Sequence, residues 1–326
     1  MALWHVDAVT LSWSYVIATA VSGVLSLWMA RSVGLKYVRP AYLREYAVFA
    51  MPLAAALILT SVVSNLDKVV VGLYYPSIEV TYYSTAVGLI AAFTAVGVSL
   101  NNVLLPHLSK NLSNNEVAEH TLWGLERGLC IILCPFIVFF IVFGARVGSA
   151  MFGPGFGPSG QMVAVLSIQI IPFVFAGIMT QVLYAIDKGV AYLKASVILC
   201  VTAVVGFAIT IPGSGAMPFC LGLGGIGAAA SVSLAYVLYS IALILMVRKY
   251  AGIRLYSRLW TIMVASLGAA LVLFAINELL DIYGIMRLFL CGLICEVVFI
   301  GILALMKEFT KKDVYNVLSK LKNDED

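Results

Sequence analysis

Charge is what this sequence is poorest in. Of its 326 residues only 11% are Asp, Glu, Lys or Arg, while 62% are hydrophobic. A soluble domain carries about 25% charged residues, so the deficit excludes an ordinary soluble fold and points to a chain that crosses a bilayer repeatedly. Histidine is scarce too: His5, His107 and His120 are scattered along the chain. The cysteines follow no metal-ligand spacing. Cys130 and Cys134 sit one turn apart in one apolar run, Cys291 and Cys295 in another, and Cys200 in a third. They read as small polarisable core side chains, so neither a metal site nor a disulfide framework is expected. No polar stretch is long enough to form a catalytic domain. A Walker loop and a Rossmann fingerprint are both missing, which argues against transport driven by this chain's own ATP hydrolysis. With no cluster of acid, base and nucleophile, no catalytic residue is assigned and the chain is not read as an enzyme. No nucleic-acid partner is expected.

What the sequence does have is apolar runs of bilayer-crossing length, about 20 residues each. Nine are read, over residues 9–30, 46–75, 81–105, 129–150, 162–186, 191–211, 226–247, 259–276 and 288–306. Only helices and closed barrels satisfy their backbone groups in lipid, and runs without a period of two are helices rather than barrel strands. The loops support the count. Arg31, Lys36, Arg39 and Arg44 follow the first run, Lys110 and Arg127 the third, and Lys188 and Lys194 the fifth. Arg248, Lys249, Arg254 and Arg258 follow the seventh, and Lys307, Lys311, Lys312, Lys320 and Lys322 the ninth. The alternate loops "YYPSIE", "GPGFGPSG" and "PGSGAMPFCLGLGG" hold no basic residue, and only Arg287 precedes the last run. Basic residues stay on the cytoplasmic side. The expected fold class is therefore an all-α polytopic protein of the cell membrane, with about nine transmembrane helices, the N-terminus outside and the C-terminus cytoplasmic. "MALWHVDA" lacks the basic region and cleavage site of a signal peptide. The expected divisions are 1–45 (first helix and basic loop), 46–250 (a six-helix lobe), 251–306 (two further helices) and 307–326. In the last segment Val314, Val317, Leu318 and Leu321 recur at helical spacing among lysines, as in an amphipathic helix on an anionic leaflet or one that docks a partner.

Charges inside the apolar runs are the exceptions that need reasons. "TSVVSNLDKVVVGLYY" places Asp67 beside Lys68. On a helix Thr60, Ser64 and Asp67 share one stripe, and Ser61, Asn65 and Lys68 share the next. That polar wedge reads as the lining of a cavity, because ionisable residues within a membrane face the bundle interior or water. The alternative ends the span at Leu66 and leaves Lys68 snorkelling at the interface. Asn101 and Asn102 lie near the end of the third run, which Pro106 is expected to terminate. The fifth run holds Gln169, Thr180, Gln181 and Tyr184, with a kink expected at Pro172. These polar groups are candidates either for interhelical hydrogen bonding or for substrate contact. Glu296 stands alone in "LFLCGLICEVVFIGILALM". It reads as a proton-coupling site, as a neutral acid bonded to a neighbour, or as a contact with a partner. Arg146 is expected to snorkel near the end of the fourth run.

The order of these features resembles the polysaccharide flippases of the multidrug, oligosaccharidyl-lipid and polysaccharide exporter superfamily. "YAVFAMPLAAALILTSVVSNLDKVVVGLYY" is similar to a family helix with Pro52 near its start, the Asp67–Lys68 step near its end and Gly72 in the following turn. "VTYYSTAVGLIAAFTAVGVSLNNVLLPHLSK", "MFGPGFGPSG", "QVLYAIDKGVAYLKAS" and "PGSGAMPFCLGLGGIGAAASVSLAYV" continue the likeness in order. The resemblance implies translocation of a lipid-linked oligosaccharide or polysaccharide precursor. Lys68 would meet the substrate's phosphate, and Asp67 would pair with that lysine or bind a coupling H⁺ or Na⁺. No other cofactor is implied. Family members have twelve to fourteen helices in two six-helix lobes, and this chain matches the second lobe with flanking helices. The expectation is therefore a fragment, a second polypeptide supplying the other lobe, or self-association. Two other functions stay open: a drug or metabolite exporter of the same superfamily, and a non-transporting membrane subunit that docks a glycosyltransferase.

Overall fold

A computed structural model describes residues 8–31, 40–111, 115–213, 220–279, 284–306 and 308. Among these residues there are ten α-helices and no strand. The helices are α1 (Ala8–Ala30), α2 (Pro40–Tyr74), α3 (Ser77–Asn111), α4 (Asn115–Phe152), α5 (Gly157–Ser167), α6 (Ile170–Ala185), α7 (Gly189–Thr210), α8 (Gly224–Ala251), α9 (Leu259–Leu279) and α10 (Ile285–Leu305). A short 3₁₀ turn, Pro154–Phe156, leads into α5. The nine apolar runs read from the sequence fall on these helices, with α5 and α6 sharing one run. Among the described residues seven helices are long and apolar enough to cross a membrane, or eight if the α5–α6 pair, bent by 43°, is one span; this is fewer than the nine expected, because the described apolar part of α1, Trp13–Met29, is shorter. The amphipathic tail expected within 307–326 lies, apart from Glu308, outside the described residues.

The chain divides into two compact units, Met1–Phe49 and Ala50–Asp326, with the division inside α2. In the first unit two hydroxyls of α1 are satisfied within the helix: Thr19 donates to the Tyr15 carbonyl at 2.6 Å and Ser26 to the Ser22 carbonyl at 2.8 Å. This back-bonding lets a polar side chain sit on an apolar helix without an unpaired donor.

In the second unit α3 packs on α5 and α6, α8 on α5, α6 and α7, and α4 on α5. The α9–α10 pair packs on α4. Small residues set the closest approaches, as lipid-immersed helices require. A Cβ placed on Gly160 of α5 would run into the backbone of Gly144 on α4. Where α7 meets α8, a Cβ on Gly206 would strike Ser231, whose hydroxyl pairs with that of Thr210 at 2.9 Å.

Two prolines act differently from the sequence expectation. α3 does not stop at Pro106 but runs on to Asn111. Pro106 lies near the helix end, where water can take the carbonyl that proline leaves unpaired. The bend attributed to Pro172 falls one turn earlier, at Ile168–Gln169. Proline lacks an N–H and its ring clashes with the carbonyl four residues back; here that residue is Ile168, so the helix breaks there and Pro172 occupies the first turn of α6. The break is stitched by the tighter bonds Ile168 N–H to Val165 O and Gln169 N–H to Leu166 O, at 3.3 and 3.2 Å. The Ser233 hydroxyl on α8 adds a third, to Val165 O at 3.0 Å.

Candidate functional site

α2 passes through Asp67 and Lys68 without interruption and continues to Tyr74. The apolar residues on both sides of the pair keep the helix in hydrocarbon, and the helical period turns Asp67 inward with Val63 and Val71, all three buried. Asp67 is only 4% exposed. Its Oδ2 accepts the Tyr83 hydroxyl of α3 at 2.8 Å, and its Oδ1 accepts the backbone N–H of Lys68 at 2.7 Å. Tyr83 is wholly buried. Lys68 is half-buried, and no Asp67–Lys68 ion pair occurs among the described salt bridges. Asp67 is thus held by Tyr83 and by the Lys68 backbone rather than by the Lys68 ammonium.

Asp67 opens on a cavity of about 230 Å³ at the meeting of α2, α3, the α5–α6 break and α8. Ser64, Tyr83, Thr94, Gln169 and Tyr236 supply the rest of its polar lining. Gln169 sits in the break itself, and its buried Oε1 has no protein partner. Phe173 of α6 meets the Tyr236 ring edge-on, with ring centres 5.2 Å apart, and Tyr236 and Ser64 both line the cavity. The helix break therefore brings an amide into contact with the space around a buried carboxylate. The arrangement offers a carboxylate, an amide oxygen and hydroxyls to one small guest.

Of the residues picked out from the sequence, Ser64, Asp67 and Gln169 meet at this cavity. Ser61 and Asn65 are exposed on α2, Asn65 donating to the Ser61 carbonyl at 2.9 Å, and Thr60 donates to the Leu57 carbonyl at 2.9 Å. Asn101 and Asn102 lie on α3, and their side chains fall outside the described residues. Thr180, Gln181 and Tyr184 are on α6 beyond the break. There the Tyr184 ring meets that of Tyr192 edge-on, with ring centres 5.3 Å apart. Glu296 belongs to a different place, a cavity of about 540 Å³ between α3, α4 and α10 whose walls are Phe93, Phe136, Phe139, Phe140, Phe289 and other apolar residues. Arg146 is half-buried, its guanidinium 5.9 Å from the centre of the Phe143 ring.

The sequence did not disclose the tyrosines. Tyr83 and Tyr236 sit in apolar runs and carry hydroxyls that need partners when buried, which is the signal that would have found them. A second missed feature is a clamp at the far end of α4. Glu126 is 1% exposed and accepts the Tyr256 N–H at 2.8 Å. Glu119 accepts the Arg254 N–H at 3.0 Å, and the Trp123 indole donates to the Arg254 carbonyl at 2.7 Å. Glu308, just past α10, accepts the Tyr256 hydroxyl, and Arg258 and Arg127 approach its carboxylate at 3.6 and 3.9 Å. Burial, and then the hydrogen bond to Glu308, hold the Tyr256 hydroxyl above its ordinary pKa. The clamp ties the α8–α9 connection and the end of α10 to α4.

Comparison with known proteins follows the geometry. The family model described as polysaccharide biosynthesis protein matches residues 1–160. No curated protein sequence matches the chain. Among solved structures, the lipid II flippase MurJ in its inward closed conformation superposes with a TM-score of 0.66 at 15% sequence identity, over 85% of this chain. The chain spans 58% of the length of that flippase. Sequence over the first 160 residues and fold over most of the chain both agree with the resemblance to polysaccharide flippases.

Proposed function

We propose, with the likeness to polysaccharide-biosynthesis membrane proteins as premise, that this chain takes part in flipping a lipid-linked oligosaccharide or polysaccharide precursor across the cytoplasmic membrane, coupled to H⁺ or Na⁺. One observation carries the reading: a lobe with the fold of a lipid II flippase keeps a buried carboxylate, Asp67, open to an internal polar cavity. Burying a carboxylate costs several kcal/mol unless its environment compensates, and residues kept at that cost within a membrane are functional by default. In this reading Asp67 is the ion-coupling group, with Ser64 and Gln169 beside it. Lys68, half-buried on the adjoining face, meets the diphosphate of the substrate. Ser61 and Asn65, exposed on α2, offer hydrogen bonds to sugar hydroxyls. Glu296 is a second candidate for ion coupling.

The test is translocation of a fluorescent lipid-linked oligosaccharide in proteoliposomes, with and without ion gradients. Asp67→Asn should abolish the gradient dependence, and Lys68→Gln should lower the rate at equal folded protein. Unchanged flipping in both variants overturns the site assignment. Dye efflux without lipid flipping would make the chain a drug exporter. Co-purification with a glycosyltransferase, and no transport of either kind, would make it a docking subunit.

A further inference from the structure

Two groups of cations lie on the side that the basic loops assign to the cytoplasm, and they are treated differently. In the clamp, Arg127 and Arg258 approach the Glu308 carboxylate at 3.9 and 3.6 Å. Where the α6–α7 turn meets the end of α8, Lys188 and Lys249 converge instead on one ring. Their ammonium nitrogens lie 5.8 and 5.6 Å from the centre of the Tyr250 ring. Among the described residues neither lysine forms an ion pair, and Asp187, next to Lys188 in the chain, is exposed. The backbone fixes this meeting. α6 ends with Asp187 in the left-handed conformation, φ 57°. The Lys188 N–H donates to Leu183 O at 2.9 Å and the Asp187 N–H to Tyr184 O at 3.2 Å, the paired bonds of a Schellman ending. Lys188 is thereby delivered straight to the start of α7, as its N-cap. Gly189 follows, packed so closely on Leu53 of α2 that a Cβ would run into that side chain. α8 closes at Gly252, φ 71°, whose N–H donates to Arg248 O at 3.2 Å, so Lys249 and Tyr250 sit in a tied last turn.

Lysine is a poor N-cap. It has no oxygen to accept the first N–H groups of α7, and no side-chain cap bond is made. Its charge also opposes the positive end of the helix dipole, and a second ammonium on the same ring adds repulsion. Confinement of basic residues to one side of the bilayer explains why cations occur here, but not why two share a ring with no acid between them. An anion would satisfy both ammoniums and the start of the helix together. The rest of the surface says what carries it. Tyr250 is 44% exposed at the end of a membrane-crossing helix, the level at which tyrosines meet lipid headgroups. The stripe of α8 that leads from Lys249 into the bilayer is Leu245, Ile241, Leu238 and Leu234, apolar and exposed throughout. We propose that Lys188, Lys249 and Tyr250 form a site for the phosphate of an anionic phospholipid of the cytoplasmic leaflet. The two ammoniums hold the phosphate, and the acyl chains lie along the leucine stripe below it. Basic pockets between membrane helices on this side take anionic headgroups in the same way. The site is independent of the Asp67 cavity and of the transport reading.

The experiment is native mass spectrometry of the full chain in detergent, titrated with anionic phosphatidylglycerol and with zwitterionic phosphatidylethanolamine. The parent should take up phosphatidylglycerol at the lower concentration. Lys188→Gln and Lys249→Gln should each raise the concentration needed by about fivefold, and Lys188→Arg and Lys249→Arg should keep the parent's affinity. Arg254→Gln removes an equal charge from an exposed residue whose described bonds are made by its backbone, and should leave uptake unchanged. Thermal melting identifies any variant that fails to fold, and the remaining lysine variant then decides. Equal uptake of the two lipids, or a loss in Arg254→Gln as large as in the lysine variants, overturns the site in favour of diffuse surface charge. Uptake of a polyprenyl diphosphate at the same two lysines in preference to phosphatidylglycerol overturns the leaflet lipid as occupant and makes the site a substrate contact.

Discussion

Two carboxylates carried by apolar helices, Asp67 and Glu296, are treated in opposite ways. Asp67 is 4% exposed, bonded to Tyr83 and to a backbone N–H, and beside a polar cavity. Glu296 is partly exposed and lines a cavity more than twice as large, walled by phenylalanines, with no hydrogen bond among the described residues. A buried acid with dedicated partners is held by them and orphans them when removed, whereas removing an acid that has none orphans nothing. From sequence the two looked alike, each an acid in an apolar run. Their environments separate a group built into the lobe from one that faces the space between helices.

The contrast can be broken by mutation. Asp67→Leu should have the largest effect, because it leaves the wholly buried Tyr83 hydroxyl without an acceptor. A loss of about 2–3 kcal/mol is expected in detergent-induced unfolding of the purified chain. Tyr83→Phe removes one of the two bonds to the same carboxylate and should cost about 1–2 kcal/mol in that assay. A loss as small as that of an exposed Tyr→Phe change would show that the pair is not fixed. Glu308→Gln weakens the clamp that joins the α8–α9 connection to α4 while keeping a group that can still accept the Tyr256 hydroxyl. It should cost about 1 kcal/mol and raise protease cleavage between α8 and α9. Glu296→Leu should be the mildest, within about 0.5 kcal/mol of the parent. Destabilisation as large as that of Asp67→Leu would show that Glu296 has partners of its own.

Much of the fold was legible because lipid leaves a chain few choices. Low charge and long apolar runs specify helices, and the helices fall on those runs, although among the described residues seven, or eight with the bent pair taken as one span, are long and apolar enough to cross a membrane where about nine were expected. The proline readings were half right. A missing N–H at Pro172 predicts a bend, but the steric conflict lies with Ile168, so the break appears a turn upstream and carries Gln169 into the cavity. The polar wedge on α2 was read as one surface, yet the helical turn between Asp67 and Lys68 sends the acid inward and leaves the lysine half-buried. Thr180, Gln181 and Tyr184, equally visible in the sequence, lie on α6 beyond the break rather than at the Asp67 cavity. The clamp of Glu119, Glu126, Arg127, Tyr256 and Glu308 was hidden because its members are far apart in the chain and each alone resembles an ordinary loop charge.

By itself the sequence determined that this protein is a membrane-crossing bundle of helices and which residues break its apolar pattern. A bilayer demands that every backbone polar group be satisfied locally, and that demand acts on the chain segment by segment. Only the tertiary structure decided what those exceptions meet, since a carboxylate's role depends on which side chains of other helices enclose it. Asp67 found a tyrosine, an amide and a cavity; Glu296 found only rings and aliphatic chains.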